Sequence, residues 1–229
     1  MADPLYLSLW FPDFEPISFM PRVLSVMQRF PFSALRPGVE YLSIQPVSWS
    51  ESTVLERRFR PGVDPDEAAQ AAADFLHPDY GYIFEIYWDL WTPASALQDH
   101  DSPPPDHTAE ALFASPASVD TSSADTSSTD TWARQPSLVK IIAQGEEFDD
   151  GSYEQYGHIQ VDFGLDTPFL YEDLRLAGSA AAVARSNIQK LVDFTSAVEK
   201  NCGVSGRLLW SESQENLAQK LLARLQQVQ

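Results

Sequence analysis

The stretch Gly81–Trp91, GYIFEIYWDLW, decides how this chain is read. Aromatic and aliphatic side chains surround two carboxylates, and they alternate. Tyr82, Phe84, Ile86, Trp88 and Leu90 fall on one side of an extended segment, whereas Ile83, Glu85, Tyr87, Asp89 and Trp91 fall on the other. Successive side chains of a strand point to opposite faces. The first set is therefore expected in a core, and the second is expected to form a half-exposed face of rings beside acids.

Upstream, the same period of two recurs in Leu5, Leu7, Leu9 and Phe11, with Tyr6, Ser8 and Trp10 between them. A helix is expected over about Pro21–Phe30, with Pro21 in its first turn and Leu24, Met27 and Phe30 on an apolar stripe. VEYLSIQPVSW and STVLERRFR read as two further strands, and Pro46 suggests an edge position for the first. In DPDEAAQAAADFLH, Asp64 is an N-cap, Pro65 fits the first helical position and Glu67 completes a capping box. The order over residues 1–93 is thus β-α-β-β-α-β, the split βαβ arrangement of ferredoxin-like folds. In that arrangement the last strand pairs with the first. Tyr6, Trp10, Tyr87 and Trp91 would then surround Glu85 and Asp89 on one binding face.

Residues 94–135 are rich in Ser, Thr, Asp, Pro and Ala and poor in bulky side chains, so an acidic disordered insertion is expected. Residues 136–229 resume α+β patterning as ββαβα. SLVKIIAQ and YGHIQVDFG read as strands, a helix is expected over 179–201 with Gly203 at its C-terminal cap, and SGRLLW reads as a short strand. A final helix carrying Leu217, Leu221, Leu225 and Val228 is expected after a Ser211–Gln214 capping box. This half is expected to extend or cover the first sheet as part of one globular unit.

The formal net charge of −18 is the strongest bulk signal, and acids outnumber bases in every third of the chain. Such a surface repels phosphate backbones and anionic headgroups, so neither nucleic acid nor membrane is expected as a partner. A basic protein surface fits better. Rings and carboxylates both attract Lys and Arg, which points to an acidic binding protein, for example one that neutralises or regulates a basic partner through Tyr6, Trp10, Glu85, Tyr87, Asp89 and Trp91. A small-molecule sensor using the same face is an alternative. A third reading is a metal-assisted hydrolase: Glu85, Asp89, His158 and Asp162 are its candidate catalytic residues, with a divalent cation as cofactor. Otherwise no cofactor is expected. Gly-rich phosphate loops, G-x-S-x-G elbows and H-E-x-x-H helices are absent. The single cysteine, Cys202, rules out an intrachain disulfide and is expected to be a half-buried structural thiol. MADPLYLSLWF has no basic leader, and a cytoplasmic location is expected.

Overall fold

A computed structural model describes residues 2–12, 14–94, 132–171, 179–212, 217 and 219–221. Seven strands form one antiparallel sheet: β1 (Pro4–Trp10), β2 (Val39–Pro46), β3 (Leu55–Val63), β4 (Tyr80–Pro93), β5 (Trp132–Gln144), β6 (Ile159–Leu165) and β7 (Gly206–Ser211). Their order across the sheet is β3-β2-β4-β5-β6-β1-β7. The class is mixed α+β, as patterning implies, but the strand order is not ferredoxin-like. β1 lies between β6 and β7, and two strands, β5 and β6, separate it from β4. Both sequence halves contribute to the one sheet.

β4 is the spine. Tyr82, Phe84, Ile86, Trp88 and Leu90 are fully buried, and the alternate set is half-buried. Leu5, Leu7 and Leu9 of β1 and Val139, Ile141 and Ala143 of β5 continue the buried face. Against it pack α1 (Pro16–Met27), α2 (Pro65–Ala73) and α5 (Ser179–Asn201). α5 presents Ala184, Ile188, Leu191, Thr195 and Val198 at helical spacing, all buried. Each fully buried Leu or Ile side chain contributes about 2 kcal/mol relative to exposure. The short helices α3 (Tyr153–Tyr156) and α4 (Thr167–Leu170) turn the chain at either end of β6.

Local chemistry explains most boundaries and corrects three expectations. The Asp64 carboxylate accepts from the Asp66 N–H at 2.9 Å and starts α2 as expected. α1, however, begins at Pro16 rather than Pro21, because Ser18 Oγ accepts from the Glu15 N–H at 3.1 Å and closes a capping box there. Pro21 sits inside the helix. β2 is flanked by β3 and β4 and is not an edge; Pro46 is tolerated because it is the strand's last residue. Residues 132–135, grouped by composition with the acidic insertion, are the start of β5. The rest of that insertion, from residue 95 to 131, and most of the expected final helix lie outside the described residues. Cys202 is buried, and its thiol, pushed up by burial, donates to the Ser25 carbonyl at 3.4 Å. No described helix is long and apolar enough to cross a membrane.

Candidate functional site

Strand pairing aligns one row of side chains across the whole sheet on the face away from the buried helices. In order from β3 to β7 these are Arg58, Tyr41, Glu85, Lys140, Asp162, Tyr6 and Trp210. Neighbouring strands lie about 4.8 Å apart, so Glu85 and Asp162 are about 10 Å apart with Lys140 between them. Ring contacts mark both ends of the row. The Arg58 guanidinium lies 5.2 Å from the Tyr41 ring centroid, and Tyr6 packs on Trp210 at 4.7 Å.

Beside the β1–β7 end of this row is a cleft of about 260 Å³. Ile142, Gln144 and Gln160 line its floor, and Trp49, Tyr6, Tyr156 and Trp210 supply aromatic walls. Asp162 and Glu212 place two carboxylates in it. Burial, then the charges of Asp162 and Glu212, push the Tyr6 phenol above its usual range, as expected for a hydroxyl close to both acids. Local geometry fixes each wall. Trp210 Nε1 donates to the buried Ser8 Oγ at 3.0 Å, and Tyr156 stacks toward Trp210 at 6.4 Å. Trp49 packs edge-on against Phe148, and both rings cross the sheet where Gly81 has no side chain.

Gly81 is what the quoted stretch begins with, and here its role is spatial. A Cβ at this position would lie 2.7 Å from Phe148 Cζ and 2.9 Å from Trp49 Cη2. Gly81→Ala is therefore expected to displace both rings, lowering stability by about 1–3 kcal/mol and opening the cleft wall. A thermal melt together with the Trp emission spectrum checks this. Val47, two residues before Trp49, has φ of +62° although it is β-branched. That conformation costs a non-Gly residue about 1–2 kcal/mol. It is held by the Val47 N–H on the Asp79 carbonyl and by the Asp149 N–H on the Val47 carbonyl, each 2.7 Å. Backbone strain of this kind accumulates beside working sites.

The four candidate catalytic residues do not converge. Asp89 lies toward the far end of β4, where its carboxylate accepts from Ser33 Oγ at 2.5 Å and from the Ala34 N–H at 3.0 Å. Burial opposes its ionisation, but those hydrogen bonds with the Lys190 and Arg134 charges hold it below its ordinary value. His158 is half-buried between Phe14 and Tyr153, stacked on them at 4.1 and 4.9 Å. Its Nδ1 accepts from the Phe11 N–H at 3.0 Å, which requires that nitrogen to be unprotonated. Burial lowers its pKa to about 4. Among the described residues no group of three His, Cys, Asp or Glu side chains could hold a metal ion.

His158 has a consequence for acid stability. Its unfolded value is near 6.5 and its folded value near 4. Between them the unfolded chain binds a proton that the folded chain does not, so stability falls as pH drops from about 6.5 toward 4. His158→Gln, which keeps an acceptor for the Phe11 N–H, is expected to flatten that slope. Urea midpoints measured from pH 7 to pH 4.5 on both proteins check it.

The six expected binding residues separate into two groups. Tyr6 lines the cleft, and Trp10 is half-buried against Gly206 at the end of β1. Glu85 is central in the row. Tyr87, Asp89 and Trp91 lie toward the other end of β4, where their surfaces are largely taken: Arg36 covers the Tyr87 ring at 3.4 Å, and Arg134 covers Trp91 at 4.9 Å. Trp49, Tyr156, Trp210 and Glu212 were not among the expected residues. Trp210 and Glu212 carried one usable signal, a ring and an acid two positions apart at a strand end. Trp49 lies in a turn and carried none.

The architecture is a mixed α+β fold on a seven-stranded antiparallel sheet with an aromatic and acidic cleft on its more open face. Comparison with protein-family models, with curated proteins and with solved structures finds no match for this chain.

Proposed function

We propose that this is a binding protein whose open sheet face receives a basic protein segment, with a Lys or Arg side chain entering the cleft between Trp49 and Trp210. The observation that carries the reading is the cleft itself: four aromatic walls around Asp162 and Glu212. Ring faces attract cations by about 0.5–2 kcal/mol each, more where water is excluded, and the two carboxylates supply acceptors for an ammonium or guanidinium. A volume near 260 Å³ suits one long side chain better than a whole cofactor. The row leading away from the cleft alternates in charge, with Lys140 between Glu85 and Asp162. That pattern suits an extended segment whose own charges alternate. The net charge of −18 steers a basic partner toward the protein over long range.

Titration calorimetry with a short Arg- and Lys-containing peptide tests the reading. Binding is expected to weaken as salt rises, because exposed charges are screened beyond about 10 Å at 0.1 M. Asp162→Asn combined with Glu212→Gln is expected to cost at least tenfold in affinity, and Trp210→Ala a similar factor. Equal affinity in all variants would overturn the assignment of the cleft.

A further inference from the structure

We infer that a second cavity, between α5 and the unpaired edge of β4, binds a small polyanion carrying phosphate or carboxylate groups. β2 stops pairing with β4 at Ile86, so the last residues of β4 turn their edge toward α5 and the end of α1. The space there is about 750 Å³. Arg29, Arg134, Arg185 and Lys190 line it. A chain with only 15 Lys and Arg thus gathers four of them around one cavity.

The four cations outnumber the two acids of the lining, Asp89 and Asp193; the Asp89 carboxylate accepts from Ser33 and Ala34, and Asp193 accepts from Gln189 at 2.8 Å. Among the described residues, Arg29, Arg134 and Lys190 make no ion pair. Arg134 instead lies over Trp91, which fixes its plane while leaving its N–H edge to bind. Lys190 donates to the Asp89 backbone carbonyl at 2.9 Å, which anchors the ammonium and uses one of its three protons. Burial lowers the Lys190 pKa, Asp89 raises it and Arg134 lowers it, with a net fall. An anion placed among these groups would reverse that fall. Guanidinium forks bind both phosphate and carboxylate bidentately, and the cavity is large enough for more than one anionic group.

Calorimetry at low ionic strength, with pyrophosphate, ATP and citrate titrated separately, tests the inference. Trp91 emission serves as a second readout. At least one polyanion is expected to bind saturably, and Arg134→Gln and Arg29→Gln are each expected to weaken it tenfold or more. Phosphate or carboxylate preference follows from which probe binds more tightly. Arg29 and Arg134 lie on separate elements, so one variant still reads the site if the other fails to fold. Asp162→Asn with Glu212→Gln is expected to leave this binding unchanged, which separates it from the cleft. No saturable binding of any probe, or equal binding by wild type and both Arg variants, would overturn the inference.

Discussion

Asn187→Leu is expected to destabilise the protein by about 3 kcal/mol, from two buried backbone groups left unpaired at about 1–3 kcal/mol each. Asn187 is almost fully buried on α5 and faces the edge of β4. Its Oδ1 accepts from the Trp91 N–H at 2.9 Å, and its Nδ2 donates to the Trp91 carbonyl at 2.9 Å and to the Pro168 carbonyl at 2.8 Å. One amide side chain thus takes the place of a missing strand. Leucine has the same number and branching of side-chain heavy atoms, with bulkier methyl ends and no polar atoms. The Trp91 carbonyl would keep the Tyr171 hydroxyl, which donates to it at 2.6 Å. Among the described residues, the Trp91 N–H and the Pro168 carbonyl would have no other side-chain partner. Asn187→Asp is expected to be at least as damaging, since a carboxylate would face two carbonyls with no proton to offer. A fall of about 6–12 °C in Tm accompanies 3 kcal/mol in a chain of this size. A melt unchanged within 2 °C would show that β4 does not depend on this contact.

Trp88→Ala is expected to cost about 3–5 kcal/mol, the range for emptying a large aromatic site in a core. Trp88 is fully buried and lies among Phe30, Phe163 and Phe169, with centroid separations of 5.5, 5.2 and 5.9 Å. The loss combines transfer of the ring, the residual cavity and the ring contacts. Its indole N–H has no acceptor among the described residues. Trp88→Phe removes that donor while keeping most of the packing, and its cost should stay near 1–2 kcal/mol. Denaturant unfolding of the two variants separates the terms. Equal losses would mean that the indole N–H, and not the ring packing, carries the stability of this site.

Trp88 lies where the alternation of β4 placed it, in the core, whereas nothing local in the sequence pointed to Asn187. Most of the longer elements were legible, because each is written in a local period or cap; the four-residue helices α3 and α4 were not. GYIFEIYWDLW alternates without a break, α5 keeps its stripe from Ala184 to Val198, and Asp64 announces α2. The pairing was not legible. β1 meets β6 and β7 more than 140 residues away, and nothing in LYLSLWF distinguishes those partners from β4. The βαββαβ order therefore suggested a ferredoxin-like closure that the C-terminal strands occupy instead. The same error placed Tyr6 beside Glu85. Register puts Tyr6 beside Asp162 and Trp210, so the carboxylate and aromatic character of the face was legible while its centre was not. Pro21 misled for a different reason. A proline suits a first turn, but the stronger Glu15–Ser18 cap lies five residues earlier.

Recognition of a basic segment rests on the cleft. The most direct measurement is a proton–nitrogen NMR titration of the Trp side-chain signals with the basic peptide. The Trp49 and Trp210 indole resonances are expected to shift and saturate together, while buried Trp88 stays in place. Asp162→Asn with Glu212→Gln is expected to abolish the shifts without altering the rest of the spectrum. Shifts confined to Trp91, or none at any tryptophan at saturating peptide, would contradict recognition through the cleft.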